Sequence, residues 1–304
     1  MYRPRDGLLF VLLAVLWGLS FPAISVGLES LPPLLFAAFR YDVAAALLLA
    51  YATLQTEFWR PVGRNNLAAV SGGGLFLVAG NGLLFIGQQT VPSGVAAILQ
   101  ALVPIATALW ALLLLGERLS SVGAAGVAVG FLGIGLVIQP DPSNLLVGDT
   151  AGRLLIVGQV ASVALGGVLV QRAQPTLDRA ALTGWSMFLG AVVLHVLSLV
   201  AGEFPDGETP TGTAVGAVLY LGVFSTAVAF LIYFYILEEH GAFEASLVAY
   251  LVPVVATLVG VFVLGEAIDT LTFAGFALVA LGFALLKRRA IADITGLGTG
   301  VGRP

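Results

Sequence analysis

Cysteine is absent from this 304-residue chain, which excludes disulfides, thiolate metal sites and a cysteine nucleophile. Histidine occurs only as His195 and His240, too little for a zinc cluster. Charge is scarce as well. Asp, Glu, Lys and Arg together make 10% of the residues, where a soluble domain carries about 25%. The net charge of −4 leaves no basic footprint for nucleic acid. What fills the chain instead is 59% hydrophobic residues and 38 glycines. A single water-soluble domain cannot hide that much apolar surface, because its own surface must be polar. Soluble enzyme, nucleic-acid binder and disordered chain are excluded as readings of the whole, and lipid is the solvent for most of it.

A helix crossing the hydrocarbon core needs about 20 mostly apolar residues. Ten runs qualify: 7–28, 33–54, 66–88, 93–115, 121–139, 153–172, 179–201, 212–237, 242–264 and 270–287. Pro/Gly/Asp-rich breaks such as Pro140-Asp141-Pro142 and Pro205-Asp206-Gly207 separate them. The runs are too long for barrel strands and lack their alternation. Arg3 and Arg5 precede the first run, but no small-residue cleavage site closes it, so it is read as a retained helix and not a signal peptide. With the N-terminus inside, the inner segments hold Arg3, Arg5, Arg60, Arg64, Arg118, Arg172, Arg179, Lys287, Arg288, Arg289 and Arg303. The outer segments hold only Arg153. The positive-inside rule therefore predicts cytoplasmic termini and a multi-pass protein of the cell membrane.

The chain also echoes itself. Leu102-Val103-Pro104 followed by Leu115-Gly116-Glu117 recurs as Leu251-Val252-Pro253 followed by Leu264-Gly265-Glu266, at a constant offset of 149. That offset lays spans 1–5 on spans 6–10. Five is odd, so the second copy enters the membrane upside down, which is a transporter signature. The predicted fold is an all-α membrane protein of ten transmembrane helices in an inverted 5+5 repeat. Its parts are a first five-helix unit (1–139), an outside linker (140–152), a second unit (153–289) and a cytoplasmic tail (290–304).

Trp17-Gly18 with Pro22, Arg40, Pro104 with Gly116-Glu117, and Pro253 with Gly265-Glu266 stand in an order and spacing that resembles the EamA-like branch of the drug/metabolite transporter superfamily. The resemblance covers essentially the whole chain. It implies a ten-helix exporter or permease for amino acids or related small metabolites, without identifying which. Small multidrug relatives use an acidic residue in their first helix, and this chain has none between Gly7 and Leu28. Phosphorylated-sugar relatives favour several cavity cations, whereas Arg40 is the sole intramembrane cation here.

Polar groups within the spans are the candidate site residues, since ionisable and amide groups at membrane depth face the bundle interior. Arg40 lies roughly 10 Å below the outer boundary of span 2. It is read as a structural anchor bonding carbonyls or a carboxylate, the alternative being attraction of a substrate carboxylate. Asp42, on a different face, calls for a partner on another helix. His195, deep in span 7, is read as an interhelical hydrogen-bonding residue ahead of a proton shuttle. Ser246, Tyr250, Pro253 and Thr257 share one face of span 9, and Gln100, Pro104 and Thr107 stand in the matching place on span 4. Each proline frees a backbone acceptor. Asn81, Phe85 and Gln88 fall on one face of span 3; Thr226, Phe230 and Tyr233 on one face of span 8; Gln159 and Ser162 on span 6. Gly126 and Gly133, repeated as Gly275 and Gly282, put small residues on one seam of spans 5 and 10, which read as scaffold or dimer-facing helices. Glu117 and Glu266 end their helices against the dipole and are expected to cap the next helix start.

The expected activity is secondary-type transport, with export the expected direction, by alternating access around a midplane cavity. Its polar groups are Asn81, Gln100, Gln159 and Tyr250, its walls Trp17 and Tyr233. Arg40, Pro104, Pro253, Glu117 and Glu266 are structural or gating residues. No catalytic group, metal or cofactor is expected. The partners are a small-molecule substrate and the bilayer, with the chain a monomer or homodimer. An intramembrane enzyme would need clustered catalytic groups that the spans do not offer, and a passive channel would need polar rings.

Overall fold

The computed structural model describes residues 4–117, 120–139, 148–203, 211–240, 242–286 and 288. Every regular element among them is helical. Eight helices are long and apolar enough to cross a membrane: α1 (Asp6–Leu28), α2 (Pro33–Gln55), α3 (Arg64–Gly87), α4 (Ser93–Leu114), α5 (Ser121–Ile138), α6 (Gly148–Ala173), α7 (Arg179–Val200) and α8 (Gly212–Ile236). Two further apolar helices follow, α9 (Ala242–Phe262) and α10 (Thr270–Leu286). Each coincides with one of the ten predicted runs. Arg3, Arg118, Asp206, Glu208, Lys287, Arg289, Arg303, most of the 140–152 linker and the 290–304 tail lie outside the described residues, as do the side chains of Arg5, His240 and Ser246.

Prolines explain two of the breaks. Pro22 has no N–H to return to the Gly18 carbonyl, and α1 turns at Leu19. The Ser20 hydroxyl donates to the Trp17 carbonyl at 2.5 Å beside this turn. Pro104 interrupts α4 at Ala101–Leu102, whereas Pro253 sits inside a continuous α9. Widened turns of π type occupy Gly73–Val78 in α3 and Tyr220–Val228 in α8. Such turns insert a residue into the helical ladder and commonly re-aim the side chains beside them.

Helix starts are capped by short polar side chains, as unpaired N–H groups require. Ser120 accepts from Gly123 N, Asp178 from Ala180 N and Ala181 N, and Thr211 from Ala214 N. Asp269 caps α10 through Thr272 and also accepts from Gln139 Nε2 at 2.9 Å, lashing the end of α5 to the start of α10. Slight burial raises the Asp269 pKa, but the hydrogen bonds from Thr272 and Gln139 outweigh it and hold the carboxyl below its ordinary value. At the other ends, Gly116 and Gly265 take the left-handed conformation, φ +70° and +68°. This is the C-terminal glycine position that stops a helix, and it accounts for the recurring Leu-Gly-Glu.

The packing is pairwise. α5 lies along α10, α2 along α7, and α4 against both α6 and α9. α1 packs on α9 and α8, α3 on α6 and α7, and α8 on α2. One large apolar core runs through all of this, with Phe36, Phe85, Ile98 and Leu194 fully buried in it. Around the outside, large apolar side chains such as Leu113, Leu132, Val200 and Phe262 are exposed, as a lipid-facing surface requires.

Candidate functional site

The site assembles where α3, α4 and α6 meet. The π-type turn of α3 passes into a tight turn at Ala79–Asn81, which places Asn81 at the end of the widened segment. The Asn81 amide donates to the Leu77 carbonyl at 2.9 Å, so its oxygen is free to accept. It accepts from Gln159 Nε2 of α6 at 2.8 Å. Gln159 Oε1 in turn accepts from Gln100 Nε2 of α4 at 2.6 Å. Gln100 sits just before the Pro104 break, at the end of a helical segment. Three of the four polar groups singled out from sequence thus form one chain of amides across three helices. Gln159 is 1% exposed at its centre, while Asn81 and Gln100 are only half-buried.

An amide chain of this kind is directional. Each member uses its oxygen for one neighbour and its NH2 for the next. Gln159→Leu removes the middle and leaves Asn81 Oδ1 and Gln100 Nε2 without their partners. Unpaired groups of this kind cost about 1–3 kcal/mol where water is excluded and less at half-buried Asn81 and Gln100, and hydrogen bonds between membrane helices average about 0.6 kcal/mol. We expect Gln159→Leu to lower thermal stability by about 1–2 kcal/mol. Unfolding followed by tryptophan fluorescence measures it, and an unchanged or raised melting temperature would show that the amides do not hold the helices together.

The aromatic walls form a second cluster. The Trp17 ring lies 5.5 Å from Tyr233 and 6.0 Å from Phe230, between centroids. Trp17 is positioned by the Pro22-induced turn of α1, and Phe230 and Tyr233 by their common face on α8. Tyr220 donates its hydroxyl to the Leu16 carbonyl at 3.0 Å and fixes α8 against α1. Arg40 is 9% exposed. Its Nε donates to Thr226 Oγ1 at 2.9 Å, and its guanidinium stands 5.1 Å from the centroid of the Tyr41 ring.

Tyr250 stands apart. Its ring packs 4.8 Å from Phe283 of α10, and its buried hydroxyl has no hydrogen-bond partner among the described residues. Pro253 and Thr257 line an apolar groove of about 350 Å³ with Ile98, Phe273 and Phe276. The groove opens between exposed Val254, Leu258 and Phe262 and holds none of the amides. Gln88 turns to α1, donating to the Phe21 carbonyl and Ser25 Oγ. Thr107 and Ser162 bond backbone carbonyls, Val103 and Phe76 respectively.

Asp42 and His195 find each other across α2 and α7, with His195 Nε2 and Asp42 Oδ2 2.8 Å apart. Phe39 packs edge-on against the imidazole. Glu266 does cap a helix start, though not the next one. Its carboxylate accepts from Ser93 N at 2.9 Å, Ser93 Oγ at 2.8 Å and Gly94 N at 3.3 Å, at the head of α4. The next helix, α10, is served by Asp269 instead. Glu117 is exposed and makes no side-chain hydrogen bond to a described residue. Glu203, just past the end of α7 and not singled out from the sequence, caps α2 through Leu34 N and Leu35 N. Tyr41 and Tyr220 were not singled out either. Among the described residues no group of three or more His, Asp or Glu residues stands close enough to hold a metal ion.

Comparison with known proteins places this architecture. A solved crystal structure, 21% identical, superposes with a TM-score of 0.64 over 95% of this chain and 99% of that one, so the two share a fold. The uncharacterized inner membrane transporter YedA of Escherichia coli K12 is 33% identical over 285 residues, 93% of this chain and 90% of its own length. An uncharacterized transporter of Archaeoglobus fulgidus is 27% identical, over 94% and 99% of the two chains. A WAT1-related chloroplastic protein of Arabidopsis thaliana is 28% identical over 89% of this chain and 66% of its own. The profile of the EamA-like transporter family matches twice, over residues 6–139 and 150–288. The chain is a multi-pass membrane protein that belongs to the EamA-like transporter family of the drug/metabolite transporter superfamily.

Proposed function

We propose that this protein is a secondary-type transporter that exports small metabolites such as amino acids by alternating access. The two units are residues 1–139 and 153–289, inverted with respect to each other, with both termini cytoplasmic. The observation that carries this reading is the packing pattern. Exchange α1–α5 for α6–α10 and the pairs map onto themselves: α1·α9 becomes α6·α4, α3·α7 becomes α8·α2, and α3·α6 becomes α8·α1. The pairs α2·α7, α4·α9 and α5·α10 map onto themselves directly. The double match of the family profile and the paired left-handed glycines Gly116 and Gly265 support the same duplication. Two similar units that are not identically packed can rock about the site between them.

The amide chain lies across that seam, because Gln159 of the second unit bonds Asn81 and Gln100 of the first. Rocking the units strains these bonds, and a polar solute that takes over one amide as partner offsets that loss. Recognition then rests on a few amides and on the rings of Trp17 and Tyr233, since fixed charges are scarce.

Purified protein in sealed vesicles should move labelled amino acids or similar metabolites. Gln100→Ala or Tyr250→Ala should cut the initial rate at least fivefold, an effect of about 1 kcal/mol on the barrier. Folded protein that moves nothing across a broad metabolite panel would refute the proposal. The orientation is tested separately, by whether a C-terminal reporter is found inside the cell.

A further inference from the structure

Arg40 is a cation without a counter-charge. Among the described residues no carboxylate lies within salt-bridge distance of it, and the one hydrogen bond it makes is from Nε to Thr226 Oγ1. Asp42, two residues away in sequence, is committed to His195 on the other side of α2. A guanidinium does not shed its proton in a protein. A buried charge is costly unless it is paired. The two terminal nitrogens have no partner among the described residues, yet they are not among the side-chain atoms sealed from solvent, so they open onto accessible space.

What lies next to that opening sets its chemistry. Thr226, which holds Nε, shares a face of α8 with Phe230 and Tyr233, at spacings of four and three residues. Phe230 and Tyr233 pack on Trp17. Along α8, Phe230 lies about one helical turn and Tyr233 about two turns beyond Thr226, roughly 6 and 10 Å of rise. α8 can come this close to α2 because Gly222 faces it: a Cβ there would stand 2.6 Å from Val43 Cβ and 3.0 Å from the Arg40 carbonyl oxygen. Tyr220 ties the other side of α8 to the carbonyl beside Trp17. The result is one guanidinium fork at one end and an aromatic wall at the other.

We propose that Arg40 receives a single carboxylate of the transported solute, while Trp17, Phe230 and Tyr233 hold its apolar or aromatic remainder. The cargo class is an amphipathic solute with a single carboxylate. A solute with several anionic groups would leave the others unpaired, because the other arginines of the described spans, Arg64, Arg153, Arg172 and Arg179, lie within five residues of a helix end, away from Arg40. The inference rests on the transporter reading above, since the anion belongs to the cargo.

The probes are 3-phenylpropionate, its uncharged amide 3-phenylpropionamide, and inorganic phosphate, tested at neutral pH on the purified full-length protein by thermal stabilisation and direct binding. The carboxylate should bind at least about tenfold more tightly than the amide, the discrimination expected of hydrogen bonds to a charged group. Phosphate, which lacks the ring, should bind more weakly than the carboxylate. Arg40→Gln should bring carboxylate and amide to within about twofold of each other, with the amide unchanged. Arg40→Lys should keep a preference of several-fold. Wild-type protein that does not prefer the carboxylate overturns the proposal whether or not any variant folds, and so does a preference that survives in Arg40→Gln. Phosphate binding as tightly as the carboxylate overturns the role of the rings. Vesicles that move uncharged solutes, with no carboxylate preference in binding, sink the anion site and leave the transporter reading intact. Arg40-dependent carboxylate binding by a protein that moves no solute upholds the site and sinks transport.

Discussion

Gly133→Val should prevent the protein from reaching a stable, monodisperse fold, whereas Gly135→Val, two residues along the same helix, should be tolerated. The reason is the seam between α5 and α10. A Cβ on Gly133 would stand 2.6 Å from the Gly275 carbonyl oxygen, and one on Gly126 would stand 2.5 Å from that of Gly282. The clash is reciprocal: Cβ atoms on Gly275 and Gly282 would stand 2.7 and 2.5 Å from the carbonyl oxygens of Gly133 and Gly126. The obstructing atoms are backbone, which cannot rotate away as a side-chain tip can. Valine would bring two methyl groups more, and the helices would have to separate along their length. Separation also loses the dispersion contacts that hold membrane helices together where no hydrophobic force acts between them. Overpacking typically costs about 1–3 kcal/mol and sometimes more, and a rigid glycine seam belongs at the upper end, at about 3 kcal/mol or above. A Cβ on Gly135 meets nothing within 4 Å. Size-exclusion profiles and fluorescence melts of the two variants decide it; equal losses at both positions would show that the seam is not where the stability lies.

That seam was half legible in the sequence. Glycines seven residues apart place small residues on one stripe, and their recurrence at an offset of 149 points to paired roles. Whether the stripes meet each other or a second copy of the chain is not written in either helix alone. The same limit applies throughout. Hydropathy identifies the ten runs because unsatisfied backbone in lipid leaves the chain little alternative to helix. Periodicity assigned Asn81, Gln100 and Gln159 to interior faces because an exposed amide in lipid is costly. It did not say that the three bond one another, which depends on how α3, α4 and α6 rotate and cross. Asp42 and His195 were each expected to find a partner on another helix, but the partner is 153 positions away. The π-type turns at Gly73–Val78 and Tyr220–Val228 have no local signature beyond Gly72-Gly73-Gly74. The first lies where α7 comes close: a Cβ on Gly73 or Gly74 would meet Ser186 or Leu189 within 3.0 Å.

Glu266→Gln should destabilise the protein by about 2–3 kcal/mol, and Glu117→Gln, its counterpart in the repeat, by less than about 0.5 kcal/mol. The two glutamates occupy matching places after a left-handed glycine, yet only Glu266 has a described role. It accepts three hydrogen bonds at the head of α4, from Ser93 N, Ser93 Oγ and Gly94 N. Ser93 itself is fully buried, so lost partners there are not replaced by water. A carboxylate at a helix N-terminus also gains from the macrodipole. Glutamine keeps one acceptor oxygen but turns an NH2 toward N–H groups that need an acceptor. The loss combines a cap, worth about 0.5–2 kcal/mol, with the extra strength of bonds to a charged group. Glu117 is exposed, and surface changes away from such features stay within about 0.5 kcal/mol. An independent variant reaches the same contact without touching the charge. In Gly260→Ala the new Cβ would stand 2.2 Å from Glu266 Oε2, so the carboxylate must leave Ser93, and the loss should approach that of Glu266→Gln. The double variant should then be no worse than the stronger single one, since both act on one contact. Thermal melts give the magnitudes, and amide exchange at Ser93 and Gly94 gives the location. Faster exchange there in Glu266→Gln and Gly260→Ala, but not in Glu117→Gln, is the expected pattern. If the two glutamate variants lose equal stability, the bond between the second unit and the head of α4 contributes nothing of its own.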